Sequence, residues 1–537
     1  MTAPTGVPES VPFADTGGVD PSWRRLSPRM LLVHPVQEIP RALPAIFAAF
    51  IAGTSTGQEW WGVASLVVVV AAGILRWFTT TYRITPDYVQ VRKGLLRRRE
   101  LSVPRDRVRT VDVTAHLIHR LVGLARVTVG TGRSDRGDEG VRLDGLSTQE
   151  AARLREELLH LRPGNLAAPA RDRPDAMGAT ADPETEIAAL RLEWVRYGPF
   201  TLSGLVTLGI LATFVSRAVD ETHIDPTRIG PLQAITAGLE HMPLLLAVAA
   251  VLLACVVFVA VASTIGYVLA FWGFRLTRHA AGTLHVARGL LTSRATSIEE
   301  RRLRGVELSE PLLLRAAGGA RLTAIATGLR TGRSSERGAT LLLPPAPRTE
   351  AERVAGEVLR DREAATAPLI PHGPRARRRR YTRALGAAAV LVLATVGWRW
   401  LASGPGWLVV TALLVLPVGA LLAYDRYRSL GHALVRGRLI AREGAMVRRR
   451  SMLSTDGVIG WNLNRSFFQR RAGLATLIAT TAAGRQHYEV PDVELGEALR
   501  TADRATPGLL TPFLAPPPLT VILKDPPCPS TENPSGS

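Results

Sequence analysis

The stretch HRLVGLARVTVGTG, residues His119–Gly132, decides the fold because related stretches follow it twice along the chain. They are LRAAGGARLTAIATG from Leu314 and QRRAGLATLIATTAAG from Gln469. In each, an arginine precedes a glycine by three residues, and the glycine is followed by the apolar alternation of a half-buried strand. We therefore expect three copies of one β-rich unit, marked by signature pairs that we expect to be structural: Arg120 and Gly123, Arg315 and Gly318, and Arg470 and Gly473.

A second glycine lies 29 residues before each signature glycine (123 − 94, 318 − 289 and 473 − 444). These hairpin glycines, Gly94, Gly289 and Gly444, each separate two short alternating runs, as the turn of a β-hairpin does. The constant spacing favours a structural role for the signature arginine, which would satisfy loop carbonyls or a carboxylate. A ligand site shared by the three copies is the alternative.

Each unit ends in a segment with helical periodicity. Ser147 and Glu150 predict a capping box at the start of the first helix, and Thr349 and Glu352 predict one for the second. The third unit keeps a helical segment in the same place with a weaker signal. Each unit is therefore expected to be a run of short strands closed by one amphipathic helix.

Paired apolar segments precede the three units. Segments of this length and composition are typical of helices that span a bilayer, so six spans are expected. The first segment is the shortest, and a half-buried helix is its alternative. Tryptophans at the segment ends, Trp194 among them, are expected to be interface anchors. The pairs are Ala42–Thr54 with Trp60–Trp77, Tyr197–Val219 with Pro243–Phe274, and Ala384–Ala402 with Gly406–Tyr424.

Arginine is distributed unevenly about these segments. The loops inside the pairs hold few cations, namely Arg217 and Arg228 around the second loop and Arg399 at the edge of the third. Because positively charged loops stay on the cytoplasmic side, we expect a multi-pass protein of the plasma (inner) membrane with six spans and both termini cytoplasmic. The first forty residues are polar and rich in proline, so no cleavable signal peptide is expected.

Composition and motifs argue against several functional classes. The formal charge of +20 comes almost wholly from arginine, since Lys93 and Lys524 are the only lysines, and we expect no nucleic-acid partner. Cys255 and Cys528 can form neither a disulfide framework nor a zinc site. The sequence contains no Gly-rich phosphate loop, no H-E-x-x-H and no G-x-S-x-G. We therefore expect a protein that is not an enzyme and that has no metal site and no cofactor.

A membrane hairpin followed by a small β-rich unit with a closing helix, repeated three times, resembles the YdbS/YdbT-like bacterial pleckstrin-homology (PH) membrane proteins. The family pattern, R-x-x-G-L-A followed by T or R, is matched at Arg120–Arg126 and Arg470–Thr476, whereas Gly319 replaces the leucine in the middle copy. The resemblance covers roughly Trp23 to Ala502. It implies a multi-pass α-helical membrane protein with three cytoplasmic all-β PH-like domains, each of two packed antiparallel sheets plus a C-terminal helix.

The expected organisation follows from the repeats and the apolar pairs. Proline, alanine and charge in the linkers predict flexible tethers that let the domains dock without rigid coupling. The expected parts are an N-terminal cytoplasmic segment at 1–40, transmembrane hairpins at 41–77, 194–273 and 384–424, PH-like domains at 78–162, 274–362 and 425–503, a linker at 163–193, a basic linker at 363–383 and a disordered tail at 504–537.

Basic clusters follow two of the hairpin glycines. PH-like domains commonly bind anionic headgroups beside this hairpin, and each cation near an anionic surface contributes about 1 kcal/mol. The alternative is solvated charge that orients the spans, which is also our interpretation of Arg375–Arg380. The predicted lipid-binding residues are Lys93, Arg97, Arg98, Arg99, Arg448, Arg449 and Arg450.

These observations predict a non-enzymatic membrane protein whose PH-like domains bind proteins or anionic lipids. It would serve as a scaffold or as an accessory in envelope stress or export. The expected partners are membrane lipids, anionic headgroups among them, and, as the resemblance implies, a shorter membrane protein with a single PH-like module. The alternative function is a transporter or lipid-handling protein, which the scarcity of ionisable residues in the spans disfavours.

Overall fold

The computed structural model describes residues 23–30, 78–85, 87–94, 99–105, 110–130, 141–160, 184–201, 203–222, 241–280, 282–328 and 340–509, with single positions at 67, 71, 74, 75, 108 and 238. The predicted first transmembrane hairpin lies almost wholly outside these residues. Arg97 and Arg98 of the first basic cluster also lie outside them. For Lys93 and Arg99 themselves, which lie in strands, the structure describes only the backbone.

The first domain contains two antiparallel sheets and a closing helix. Its first half is a meander in which β4 is the last strand, and its second half begins at β5. The elements are β1 (Arg24–Arg25), β2 (Thr81–Ile84), β3 (Tyr88–Lys93), β4 (Arg99–Pro104), β5 (Thr110–Ala115), α1 (Leu117–Val122), β6 (Leu124–Gly130), β7 (Val141–Ser147) and α2 (Thr148–His160).

The second domain follows two apolar helices and repeats this order. A 3-10 helix, Leu192–Thr201, leads into them. The elements are β8 (Thr185–Ala189), α3 (Ser203–Thr222), α4 (Leu244–Phe271), β9 (Arg275–His279), β10 (Thr283–Arg288), β11 (Ser293–Glu299), β12 (Leu303–Pro311), α5 (Leu312–Ala316), β13 (Gly319–Ala326), β14 (Leu341–Pro347), α6 (Arg348–Leu359) and α7 (Arg362–Thr366).

The third domain has the same plan after the last helical pair. The elements are α8 (Pro374–Ala402), α9 (Trp407–Arg428), β15 (Gly431–Val435), β16 (Arg438–Glu443), β17 (Val447–Ser454), β18 (Val458–Asn464), α10 (Phe467–Ala472), β19 (Leu474–Thr481), β20 (His487–Glu494) and α11 (Leu495–Ala505).

The sheets run across the domain boundaries. A seven-stranded sheet has the order β7-β6-β5-β11-β10-β9-β8, and a six-stranded sheet has the order β14-β13-β12-β17-β16-β15. The second half of each of the first two domains is therefore continuous with the first half of the next domain. The linkers predicted to permit free docking thus connect domains that share backbone hydrogen bonds. The predicted linkers also contain structure, since β8 lies within 163–193, and all of α7 but its first residue, Arg362, lies within 363–383.

The hydrophobic cores, like the sheets, extend across the domain boundaries. In the second domain Leu284, Ile298 and Leu322 are buried in one cluster that also includes Met452 of the third domain. The core of the third domain includes Ile325 of the second. Burial of apolar surface therefore stabilises the pairs of domains as well as each domain alone.

Within the part of the chain that the structure describes, three helices are long and apolar enough to cross a membrane. They are α4, α8 and α9, and the bent pair Leu192–Thr201 with Val206–Thr213 would make a fourth span. The apolar side chains of α4 are largely exposed within the protein, which suits a helix surrounded by lipid. Six spans and cytoplasmic termini stay predictions.

Of three features that the sequence predicts at the ends of elements, two differ in the structure. Trp194 is not at an exposed interface: it is buried, with its ring centroid 6.4 Å from that of Phe274. The capping box of Ser147 and Glu150 is confirmed by reciprocal hydrogen bonds. The box of Thr349 and Glu352 is wrong, because β14 continues to Pro347 and the helix begins at Arg348, which places Thr349 inside the first turn.

Candidate interaction site at the domain joints

Two strand pairings connect the three domains. In the first joint β5 of the first domain pairs with β11 of the second, and in the second joint β12 of the second domain pairs with β17 of the third. Both pairings are antiparallel. Each joint therefore uses the first strand of one domain's second half and the third strand of the next domain's first half.

The two joints have the same register. Thr114 lies opposite Arg294 in the first joint, and Ser309 lies opposite Arg449 in the second. Thr114 and Ser309 each precede their signature glycine by nine residues (123 − 114 and 318 − 309). Their partners each follow a hairpin glycine by five residues (294 − 289 and 449 − 444). The joint is thus a repeated feature, with the same periodicity as the domains.

The signature arginines reach across the joints. A guanidinium N–H of Arg120 donates to the carbonyl of Leu290, which directly follows the hairpin glycine of the second domain. Arg315 donates to the carbonyl of Ala445, in the equivalent place of the third domain, at 3.3 Å. Arg315 also pairs with Asp425 at 2.8 Å. Two of the three signature arginines therefore hold the hairpin turn of the following domain.

The signature glycines end the short helices that carry these arginines. Gly123, Gly318 and Gly473 all have positive φ angles, of 75°, 75° and 69°. Glycine adopts this left-handed conformation without the penalty that a Cβ atom brings, so it suits the residue that follows a helix. The turn returns the chain at once into the next strand, which keeps each arginine beside the joint.

The hairpin turn of the second domain also contacts a candidate span. The N–H of Gly289 donates to the carbonyl of Trp272, and that of Leu290 donates to the carbonyl of Leu269, both at 2.9 Å. The same turn therefore touches Arg120 of the preceding domain and the C-terminal end of α4. This arrangement places the first joint at the base of the second helical pair.

Charged groups complement one another across the second joint. Glu307 of the second domain lies 3.5 Å from the Arg449 guanidinium and 2.7 Å from that of Arg485. In the first joint the equivalent residue is Asp112, eleven residues before its signature glycine. Burial raises the pKa of Asp112, while a hydrogen bond with Thr296 and the nearby Arg294 oppose the rise.

The third domain ends in an edge that has no such neighbour. Within the described part of the chain, β18 pairs with β19 alone and β4 pairs with β3 alone. By position, β18 is the counterpart of β5 and β12, and β4 is the counterpart of β11 and β17. The chain therefore carries both halves of a third joint, at opposite ends of its three domains.

Exposed side chains surround this open edge. Ile459 on β18 is 65% exposed, and Phe467 and Phe468 on α10 are 63% and 72% exposed. Arg470 is exposed too, and among the described residues its side chain has no hydrogen-bond or ion-pair partner. Apolar side chains beside an unpaired strand are typical of a surface at which another strand is added.

The predicted lipid-binding arginines of β17 lie in the second joint. Arg448 contacts Ser429 at 3.0 Å and Asp425 at 3.5 Å. Arg450 is buried and donates to the carbonyl of Ala367 at 2.8 Å, and burial lowers its pKa. These contacts hold β17 to the end of α9 and to the segment that precedes α8. Lipid binding by these arginines and by the first cluster stays a prediction.

A cavity that the sequence did not point to lies at the base of the third helical pair. Its volume is about 410 Å³, and Arg380, Arg383, Gly419, Arg426 and Met446 are among its lining residues. Within the described residues neither Arg383 nor Arg426 has an ion-pair partner, and the Nε of Arg380 is buried without a hydrogen bond. The sequence signal that could have located this cavity is that both helices of the third pair carry arginine at the same end.

Comparison with known proteins gives one family and one distant relative. The family model described as Bacterial PH domain matches residues 38–162, 229–362 and 384–506. The UPF0699 transmembrane protein YdbT of Bacillus subtilis (strain 168) is 27% identical over 125 residues, which is 22% of this chain and 25% of the relative. The match thus spans about a quarter of the length of that relative. No solved structure matches the chain.

Proposed function

Because the chain belongs to the Bacterial PH domain family, we propose that it is a non-enzymatic integral membrane protein whose PH-like domains form a cytoplasmic scaffold for other proteins. Three candidate spans and the likeness to a transmembrane protein support the membrane location. The arginine-rich blocks beside the spans support the cytoplasmic side. The two joints support a scaffold, since they combine three small domains into one surface.

The open outer edge of β18 is the observation that carries this proposal. Its two counterparts in the chain each bind a strand of another domain. An exposed strand edge gives affinity through main-chain hydrogen bonds, and flanking side chains give specificity. The edge of β18 has such flanking groups, in Ile459 and the two phenylalanines of α10.

Quantitative co-purification from crosslinked native membranes tests the scaffold. We would compare the intact chain with an Ile459→Lys, Leu463→Lys variant, because lysine on an edge strand opposes strand addition. Leu509→Lys is the matched control, since Leu509 is exposed but lies outside the sheets. We expect proteins recovered near stoichiometrically with the intact chain and the control, and at least tenfold less with the β18 variant. Equal recovery from all three chains would contradict the role of this edge.

Anionic-lipid binding is a second candidate, and the cavity of Arg380, Arg383 and Arg426 favours it. Apolar helices on one side and the guanidinium groups of Arg383 and Arg426 on the other suit a phosphate headgroup whose acyl chains remain in the bilayer. The cavity lies where the apolar parts of α8 and α9 end, which is the depth of the headgroups if these helices span.

Lipid co-purification tests this second candidate. Arg383→Gln, Arg426→Gln would be compared with Arg399→Gln, which removes one arginine from the opposite end of α8. In vesicles of phosphatidylglycerol and phosphatidylcholine we expect the intact chain and the control to enrich phosphatidylglycerol, and the double variant to lose most of the enrichment. Enrichment that survives in the double variant would exclude this cavity as the headgroup site.

A further inference from the structure

We propose that the open edge of β18 binds β4 of a second copy of this chain, so that copies join head to tail through a third joint. This inference rests on the proposed scaffold function and names its partner. The chain itself supplies the argument, because it pairs two equivalent edges internally and, within its described part, leaves β18 and β4 with one unpaired edge each. No other surface is needed on the second copy.

The common register of the two internal joints predicts the register of the third. Asn464 precedes its signature glycine by nine residues (473 − 464), as Thr114 and Ser309 do. Arg99 follows its hairpin glycine by five residues (99 − 94), as their partners do. Asn464 of one copy would therefore lie opposite Arg99 of the next, and Leu463 would lie opposite Glu100.

The unpartnered arginine fits the same arrangement. Arg120 and Arg315 each hold the hairpin of the domain across their joint. Within the described part of the chain, no strand of another domain pairs with the edge beside Arg470. In the proposed assembly it would take the equivalent place beside the hairpin of Gly94 in the second copy, which gives its exposed guanidinium a role.

The third joint lacks one attraction that the internal joints have. Asn462 stands where Asp112 and Glu307 stand, so no carboxylate faces the arginine of the incoming strand. The third joint should therefore be weaker than the internal two, as suits an association between molecules that opens and closes.

The symmetry of this contact limits the assemblies that can form. The two edges differ, so the contact is heterologous and leaves one free edge at each end of any open chain of copies. Because the copies lie in one membrane, they would form rows or closed rings in its plane. A two-fold dimer through two β18 strands would not use this joint.

Disulfide crosslinking between differently tagged copies tests the proposal. In a Cys255→Ser, Cys528→Ser background, one tagged copy carries Arg99→Cys and the other carries Asn464→Cys. Residues directly opposite in an antiparallel pair have Cα atoms about 4.5–5.5 Å apart, which suits a disulfide. In native membranes under mild oxidation we expect a crosslinked heterodimer. The register control, Leu101→Cys with Asn464→Cys, should crosslink at least tenfold less.

Arg470 provides an independent readout of the same joint. Arg470→Gln should lower the crosslink yield several-fold, whereas Arg471→Gln should leave it unchanged, since Arg471 is an exposed neighbour on the same helix. This pair of variants separates a specific contact from a general effect of charge.

The outcomes distinguish this inference from the proposed function. Equal crosslinking at both registers, or crosslinking of Asn464→Cys copies to one another, would overturn the head-to-tail joint. Crosslinks from Asn464→Cys to an unlike protein, with none to Arg99→Cys, would overturn the second copy as partner and leave the scaffold in place. Absence of any protein crosslink, together with equal co-purification from the Ile459→Lys, Leu463→Lys variant, would overturn both.

Discussion

At the scale of single residues, the hairpin glycines occupy positions at which the backbone strictly requires glycine. Gly289 and Gly444 have φ angles of 106° and 99°. A Cβ atom at Gly289 would lie 2.1 Å from the carbonyl oxygen of Thr292, and one at Gly444 would lie 2.0 Å from that of Val447. Because this oxygen belongs to the backbone of the turn, the turn itself would have to open.

Gly289→Ala should therefore destabilise the second domain by about 3 kcal/mol or more, since strain and a backbone clash act together. Gly318→Ala is the control: Gly318 has a φ angle of 75°, but nothing described lies within 4 Å of its added Cβ. Only the left-handed conformation then opposes alanine, which costs about 1–2 kcal/mol. Hydrogen exchange of β10 and β11 in detergent measures the difference, and equal losses would contradict the clash.

Two buried histidines predict a dependence of stability on pH. The Nε2 of His372 lies 3.1 Å from the Nδ1 of His432, and both side chains are buried. Burial lowers the pKa of His372 to about 4 and also lowers the pKa of His432. Both groups are therefore neutral in the folded protein at a pH at which they bind protons in the unfolded chain.

The stabilisation from these histidines is present above pH 6.5 and is lost as the pH falls from 6.5 towards 4. For His372 alone, the loss between pH 7 and pH 5 should be about 2 kcal/mol. Hydrogen exchange of β15, which contains His432, should therefore accelerate between these values. His372→Gln should reduce the acceleration, because glutamine does not titrate. An unchanged pH dependence in this variant would assign the effect to other groups.

At the scale of elements, the position of a strand within its domain decides, as much as its composition does, whether it pairs with a strand of another domain. Val306, Leu308 and Met452 are buried where β12 and β17 meet. Glu307 lies between them in sequence and binds two arginines of the third domain. Apolar packing and charge complementarity therefore fix the same register.

Glu307→Gln should destabilise the second joint by about 1–2 kcal/mol, because it removes a half-buried carboxylate from Arg449 and Arg485. Glu363→Gln is the matched control: Glu363 pairs with Arg436 at 2.6 Å, but both side chains are more than half exposed. An exposed pair contributes about 0–1 kcal/mol. Thermal unfolding of the full chain in detergent compares the two variants. A larger loss in the control would show that the joint does not depend on this ion pair.

The sequence predicted the helices and turns of each domain better than it predicted which strands lie side by side. The spacing of Gly94, Gly289 and Gly444 located three turns, and the periodicity located the closing helices α2, α6 and α11. Alternation shows which face of a strand is buried but not which strand lies beside it, so β5 and β11 gave no sign that they pair. The arginines that line the cavity were likewise hidden, because three residues from two helices meet only after folding.

At the scale of the whole molecule, the joints connect domains that are separated by helical pairs. The second and third domains each follow a helical pair, and each joint returns to the preceding domain. The three domains must consequently lie on one side of a membrane, because two joined domains cannot lie on opposite sides. Every helical pair between them must then cross an even number of times.

Six spans and cytoplasmic termini can be tested with cysteine labelling of whole cells. Native Cys528 should react with a membrane-impermeant maleimide only after permeabilisation, because the C-terminal tail is expected inside. In a Cys255→Ser, Cys528→Ser chain, Thr56→Cys should react in intact cells, since Thr56 lies in the loop of the first predicted pair. Cys255, within the apolar stretch of α4, should resist the reagent in both cases. Protection of Thr56→Cys in intact cells would leave the first pair as a half-buried element and reduce the count to four.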